Sequence, residues 1–344
     1  MNSKEKKSLA SVLKSVPKPV GIGIFWGICI LVGIMVVSHN NPLAPDIHTE
    51  NLKKFCACAL LLLACVIFSV YYDRMFIIPR ELFQSRELIW KLAKNDFKKR
   101  YAGSYLGFLW ALVQPVVTVA MYYVVFDVIF NTRSEMVASG VEVPYVLFLT
   151  AGLVPWFYFS EALSNGTNAL LEYNYLVKKV VFDIDILPIV KVLSAIFIHI
   201  FFVCFMLVLN MCYGRFPDLY TLQILYYSLC MVLMVLAVCY LTSALVVFFL
   251  DLSQIVAIFL QVGIWMTPIM WQLDRLDDMP VIQKIFKLNP MYYIVSGYRD
   301  ALFDKVYFWE HPWLTAYFWI LLIVLVFVGT KVFKKLKVHF ADVL

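Results

Sequence analysis

Eight stretches of this chain are apolar over about the length needed to cross a bilayer, and a protein of this size has no aqueous core large enough to bury them all. They are Val20–Val37, Phe55–Tyr72, Ser104–Phe130, Pro144–Leu163, Ile186–Tyr213, Thr221–Leu250, Leu252–Trp271 and Trp313–Phe333. None alternates apolar and polar residues as barrel strands do, so each reads as a helix whose backbone hydrogen bonds close within the segment. Composition agrees: 62% of residues are hydrophobic and only 15% charged, whereas soluble domains carry roughly 25% charge. The expected fold class is all-α, a polytopic membrane protein. Between Thr221 and Trp271 the apolar character is nearly continuous and exceeds one bilayer thickness, which makes Asp251 the expected site of a tight turn between two spans.

Lysine and arginine set the expected sidedness. With both termini inside, 20 of the 29 basic residues fall on inner segments: Lys4–Lys18, Arg74–Arg100, Lys178 with Lys179 and Lys191, and Lys331–Lys337. The other nine fall outside, and Lys53 and Lys54 among them sit at a span edge. This is the positive-inside pattern, and it predicts a multi-pass protein with cytoplasmic termini and an even number of spans. The net charge of +6 belongs to this inner rim and is no argument for nucleic acid. The basic residues ahead of Val20 imitate a signal peptide. The apolar run that follows is about 18 residues long, above the roughly 7–15 of a signal core, and no clean A-x-A site follows it, so a retained anchor is expected.

Two segments carry polar chemistry against this apolar background. Across Glu81–Tyr101, helical spacing puts Leu82, Phe83, Ile89, Trp90, Ala93, Phe97 and Tyr101 on one face and Glu87, Lys91, Lys94 and Lys98 on the other. Such a helix lies in the membrane interface, its basic side toward lipid phosphates or an acidic partner; the same pattern serves a plain anchor. The loop Leu170–Leu187, LLEYNYLVKKVVFDIDIL, can form a short helix that docks on a cytoplasmic protein through Tyr173, Tyr175, Lys178 and Lys179, or can simply supply inner positive charge. On the opposite side, Pro280–Leu288 and Pro290–Phe303 are too short to span and too apolar for a solvated loop, so re-entrant or interfacial helices broken at Asn289–Pro290 are expected.

Catalytic signals are missing. No G-x-x-x-x-G-K-[ST] phosphate loop occurs, nor H-E-x-x-H, nor G-x-S-x-G. The eight cysteines all lie in apolar runs, and Cys56 and Cys58 have no His or Cys partners at metal-ligand spacing. Asp127, Glu161 and His199 do not form the spaced chain of an ion-coupled carrier, and His199 is expected as a packed, hydrogen-bonded side chain. The chain is not expected to be an enzyme or to hold a metal or cofactor, and any ATP use belongs to another chain.

From Arg86 to Leu344 the chain resembles the ABC-2 type permeases that export polysaccharides such as O-antigen, capsule or teichoic acid precursors on a polyprenyl lipid. Four segments in order carry the resemblance: LAKNDFKKRYAGSYLGFLWALVQP (Leu92–Pro115), FLTAGLVPWFYFSEALSNGTNALLEYNYLVKKVVFDIDILP (Phe148–Pro188), LNPMYYIVSGYRDALF (Leu288–Phe303) and the terminal FKKLKVHFADVL (Phe333–Leu344). It implies a homodimeric channel in the bacterial cytoplasmic (inner) membrane, driven by two ATP-binding-cassette ATPase subunits that bind ATP and magnesium, with a lipid-linked glycan as cargo. Residues 1–80 would be an N-terminal transmembrane hairpin extension that the resemblance leaves unexplained, 81–103 the interfacial helix, and 104–344 the transmembrane domain with its six spans.

Within that frame, Glu172, Tyr173, Tyr175, Lys178 and Lys179 would couple to the ATPase. Arg86, Lys91, Lys94, Lys98, Lys99 and Arg100 would meet lipid phosphate. Tyr122, Tyr123, Phe126, Trp156 and Tyr158 would line the path, aromatic faces stacking on sugar without trapping an anionic chain. Pro280, Pro290, Tyr292, Tyr293 and Arg299 would belong to an outer gate. An exporter of drugs or simple lipids on the same scaffold, and a scaffold or enzyme of glycan assembly, are the other classes the sequence leaves open.

Overall fold

The computed structural model describes residues 18–38, 47–75, 85–100, 103, 105, 107–131, 134–137, 139–178, 183–276 and 278–344. The chain divides into two units, one of residues 1–88 with 308–316, the other of 89–307 with 317–344.

In the first unit, α1 (Lys18–Ser38) and α2 (Ile47–Met75) pack as an antiparallel hairpin. Phe25 stacks on Phe68 with ring centroids 4.0 Å apart. Beside them the Trp26 indole N–H donates to Ser69 Oγ at 3.0 Å, and the Ser69 hydroxyl donates to the Cys65 carbonyl at 2.7 Å. These bonds satisfy polar atoms that lipid could not, while most of the hairpin's apolar side chains stay exposed, as a lipid-facing surface requires.

The second unit is built around α5 (Tyr145–Thr167), which is buried along nearly its whole length. It packs on α4 (Trp110–Tyr123, continued by a π turn Val124–Ile129), α8 (Leu187–Cys212), α9 (Gln223–Val246) and α10 (Leu252–Met266). α5 and α9 approach closely at Gly166, where any Cβ would lie 2.3 Å from Cys239 Sγ. The final long helix, α13 (Pro312–Leu336), ends at the short α14 (Phe340–Val343). Ahead of α4 lies α3 (Arg86–Arg100). Short helices α6 (Ala169–Glu172) and α7 (Asn174–Val177) occupy the α5–α8 loop, and α11 (Pro280–Lys287) and α12 (Pro290–Arg299, continued by a π turn Asp300–Asp304) lie between α10 and α13.

Among the described residues, five helical segments are long and apolar enough to cross a membrane: Pro19–Ser38, Tyr145–Thr167, Ile184–Cys212, Tyr220–Val246 and Pro312–His339. Val116–Ile129 and Leu252–Met266 are shorter apolar helices, and the expected span Phe55–Tyr72 lies inside α2. The differences from the expected lengths have local causes. In the stretch from Ser104, the described residues Gly107–Leu109 form a tighter 3-10 turn, opened by Gly107 at a left-handed φ of 54°, and the α-helix begins at Trp110. α10 stops at Met266 instead of reaching Trp271 because Pro268 forces Thr267 into an extended conformation (φ −100°, ψ 131°). At 15 residues α10 is about 22 Å long, short of the roughly 30 Å hydrocarbon core. The turn between α9 and α10 does fall at Asp251, whose carbonyl accepts from the Gln254 and Ile255 amides at 3.0 Å.

One element has no counterpart in the sequence reading. Ser134–Met136 (β1) pairs antiparallel with Glu142–Pro144 (β2), turning through Gly140 at φ 75°. It sits between α4 and α5, with the Ser139 amide donating to Asp304 Oδ1 at 2.7 Å and Gln272 Nε2 donating to the Met136 carbonyl at 2.7 Å. The hairpin thereby joins the loops on the α11–α12 side of the bundle.

Candidate functional site

The α5–α8 loop does not form one docking helix. It breaks at Tyr173 (φ −103°, ψ 26°) between α6 and α7, and that break turns the Tyr173 side chain inward. Its hydroxyl donates to Asp96 Oδ1 of α3 at 2.8 Å. The same oxygen accepts from Lys191 Nζ, on the second turn of α8, at 2.7 Å; Nζ also donates to Glu172 Oε2 at 2.5 Å and stands 5.1 Å from the centre of the Tyr173 ring. Lys191 is 4% and Asp96 8% exposed. A lysine so deeply buried is tolerable because the equally buried Asp96 carboxylate pairs with it, with the Tyr173 ring and the half-exposed Glu172 carboxylate adding to that compensation. One ion cluster thus joins α3, the loop and the base of α8.

Burial by itself would raise the Asp96 pKa, but Lys191, with the Tyr173 and Ser194 hydroxyls, more than offsets it and holds the carboxyl below its usual value. Burial and the Asp96 charge push the Tyr173 phenol up. A carboxyl whose folded pKa is depressed contributes stability that is present above its unfolded value of about 3.9 and is lost as pH falls through the folded value. Hydrogen exchange of the Ile89–Phe97 amides should therefore keep its protection from about pH 8 to about pH 5 and lose it only in stronger acid. Loss of protection already near pH 6 would mean that Asp96 is not the anchor.

The far end of the loop is tied down separately. Asp183 caps the turn Ile184–Ile186, accepting from the Asp185 amide at 3.3 Å. Lys337, just beyond α13, pairs with Asp185 at 2.6 Å and Asp183 at 3.5 Å, and the Tyr240 hydroxyl donates to the Asp185 carbonyl at 2.9 Å. Phe340, fully buried, packs on Phe333 and Phe248 and closes the end of α9 with the terminal segment. Tyr175 and Lys178 remain exposed on the loop's free surface; Lys179 lies outside the described residues.

On α3 the buried stripe is Ile89, Ala93 and Asp96, while Arg86, Lys91, Lys94, Lys98 and Lys99 are exposed. Trp90, expected on the packed face, is mostly exposed but meets Phe197 at 5.3 Å, the ring that also receives Phe97 at 5.4 Å. The side chain of Arg100 and the whole of Leu82, Phe83, Lys179 and Tyr101 lie outside the described residues.

At the other end of the bundle, a clamp surrounds the non-helical stretch after α10. Arg299 of α12 is buried. Its Nη1 donates to the Pro268 carbonyl at 2.7 Å and its Nη2 to the Ile269 carbonyl at 2.6 Å, and its guanidinium lies 3.6 Å from the centre of the Phe148 ring. The Tyr145 hydroxyl donates to the Met270 carbonyl at 2.8 Å, and Asn289 Nδ2 to Thr267 Oγ1 at 2.8 Å while Asn289 Oδ1 caps α12. Pro280 and Pro290 open α11 and α12 as expected of helices broken at Asn289. The two behave differently: α11 buries none of its side chains, whereas α12 buries Tyr293 and Tyr298 in the bundle and leaves Tyr292 half-buried. The Tyr293 and Tyr226 hydroxyls meet at 3.0 Å, and Tyr298 OH, Ser228 Oγ and His199 Nε2 form a triangle with sides of 2.6, 3.2 and 3.3 Å.

The five aromatic residues singled out in the sequence do not share one surface. Tyr122, Tyr123 and Phe126 lie along α4, with Phe126 against Tyr145 at 5.2 Å. Trp156 and Tyr158 are packed between helices: the Trp156 ring faces Gly263, and Tyr158 donates to the Val192 carbonyl at 3.3 Å with its ring 4.8 Å from His199.

With this geometry in hand, comparison with known proteins decides the family. Residues 87–303, well over half the chain, match the family described as ABC-2 type transporter. The chain belongs to that family. Over 268 residues this ABC-2 permease is 29% identical to the O-antigen export system permease protein RfbA of Myxococcus xanthus, which covers 78% of this chain and 99% of that protein. Two Klebsiella pneumoniae proteins of the same name are 27% and 26% identical over 263 residues, covering 75% of this chain and 95% of each. The chain is a multi-pass membrane permease subunit of an ABC transporter. Asp96, Glu172, Tyr173, Lys191 and Arg299 all lie inside the matched stretch; the α1–α2 hairpin lies outside it. Sequence reasoning missed Asp96 and counted Lys191 only as positive-inside charge. The available signal was a carboxylate at i+3 from Ala93 and i+7 from Ile89, on the stripe meant to be apolar, together with a lysine set within the apolar run of α8.

Proposed function

We propose that this ABC-2 permease moves a polyprenyl-linked polysaccharide of the O-antigen, capsule or teichoic acid type outward across the bacterial cytoplasmic membrane, as a homodimer powered by two separate ATPase subunits. The observation that carries the reading is alignment over 95–99% of the length of relatives named for O-antigen export. The lack of a phosphate loop anywhere in the chain supports assigning Mg-ATP to a partner. The free surface of the α5–α8 loop, with Tyr175 and Lys178 outward, suits contact with that partner. With both termini cytoplasmic, the exposed lysines of α3 would meet phosphates at the inner interface.

The deciding experiment is depletion of the protein followed by surface labelling of glycan against whole-cell extraction. Glycan trapped inside on its lipid carrier supports export. Normal surface glycan together with new sensitivity to toxic compounds supports a drug or simple-lipid exporter instead. For the interfacial helix, neutralising Lys94, Lys98 and Arg100 together is expected to lower surface glycan at least several-fold in correctly inserted protein. Unchanged export would remove α3 from substrate handling.

A further inference from the structure

The ion cluster at the base of the bundle is asymmetric. Asp96 and Lys191 are both buried, and they come from residues 95 apart in sequence. Glu172 is the member that water reaches, with half of its side chain exposed. Tyr173 shares Asp96 with Lys191, so the loop grips both partners of the buried pair, one through each of two adjacent residues. Nothing in lipid binding or span insertion calls for this arrangement. A lysine needed only as inner positive charge would sit at the surface, where its solvation costs nothing. Here it stands on the second turn of α8, where a displacement of the loop bears on α3 and α8 together.

We propose that Lys191 and Asp96 are positioning residues for energy coupling. They form a fixed joint between α3 and α8, and the loop pulls on that joint through the Tyr173 hydroxyl and the releasable Glu172 carboxylate. This deepens the reading that the α5–α8 loop contacts the ATPase, and it rests on that reading. The Asp96–Lys191 bond persists through the cycle because both ions are shielded from water, where breaking it would strand two charges. The Glu172–Lys191 contact opens and re-forms, since water can solvate the released carboxylate. Lys337, paired with Asp183 and Asp185, fixes the residues that lead into α8 next to the joint.

The test uses the full chain with its ATPase subunits and two readouts. One is phosphate release by the solubilised complex. The other is surface glycan on intact cells, oxidised with periodate and captured by a membrane-impermeant hydrazide. Replacing the buried pair by apolar residues of similar volume, Asp96→Leu with Lys191→Met, leaves no stranded charge and is compatible with folding. The expected result is continued ATP hydrolysis with surface glycan at least tenfold lower, an uncoupled transporter. Glu172→Gln, on the exposed arm, should lower glycan per ATP by about two- to fivefold, whereas Lys191→Arg alone, which keeps the charge beside Asp96, should retain much of the coupling that the paired variant loses.

Wild-type glycan per ATP in the paired variant overturns the proposal. So does a loss of hydrolysis and export in equal proportion in both variants, which is the signature of a merely structural role. The loop reading has its own control. If Tyr175→Glu with Lys178→Glu leaves the ATPase copurifying at wild-type yield, the loop is not the docking surface, whatever the joint variants do.

Discussion

Arg299→Ala is expected to destabilise the permease by about 3–6 kcal/mol and to abolish export, because two charge-assisted hydrogen bonds of about 1.5–3 kcal/mol each vanish at a buried site. The carbonyls of Pro268 and Ile269 that accept those bonds belong to the stretch where α10 has already ended, so helix bonding cannot replace the guanidinium. The stacking on Phe148 is lost as well. Arg299→Lys is expected to recover only part of the loss, since one ammonium cannot present two parallel N–H groups and a flat face at once. Thermal unfolding of the purified protein checks the stability, and surface glycan checks the function. A melting temperature within a degree or so of wild type for Arg299→Ala would show that the clamp around Thr267–Met270 is held by Tyr145 and Asn289 without it.

The second large effect is expected at Gly297. A Cβ there would lie 2.1 Å from two atoms of the Tyr227 ring and 2.5 Å from a third, well inside any real carbon–carbon contact. Tyr227 is 1% exposed and is wedged against Tyr226 at 5.1 Å and Tyr293 at 5.2 Å, so it cannot swing away. Overpacking a well-filled core costs about 1–3 kcal/mol, and an immovable ring puts Gly297→Ala at or above the top of that range. The relief available is displacement of α12 from α9, which would also break the Tyr226–Tyr293 contact and the Tyr298–Ser228–His199 triangle. Gly297→Ala should therefore lose both melting temperature and export, and Tyr227→Leu in the same chain should restore part of each by opening room for the methyl group. Wild-type behaviour of Gly297→Ala alone would contradict the close approach of α9 and α12.

The two effects explain why the segment between α10 and α13 was only half legible. Its break at Asn289–Pro290 and its helical character follow from local chemistry: proline opens each helix, and neither run is long enough to span. That α12 is driven into the bundle while α11 stays on the surface depends on Gly297 finding Tyr227, some 70 positions earlier, and no local pattern encodes that meeting.

The same division runs through the whole protein. Spans, their helical nature, the turn at Asp251 and the amphipathic character of α3 are properties of single segments. Lipid excludes every alternative for an apolar run whose backbone must satisfy its own hydrogen bonds, so about 20 residues of sequence determine the outcome. Where polar side chains go is decided between segments. Tyr173 looked like an outward docking residue on spacing alone; the loop's break at that position turned it in, because a buried Asp96 and Lys191 needed its hydroxyl and its ring. Trp156 and Tyr158 looked available and are packed, because Gly263 and His199 from other helices meet them. The short β1–β2 hairpin likewise follows from tertiary contacts at Asp304 and Gln272, its strands being too short to announce themselves. In a membrane protein the solvent dictates secondary structure from sequence, while the few ions and aromatic hydroxyls that lipid cannot solvate must find each other, and only the tertiary structure decides with whom.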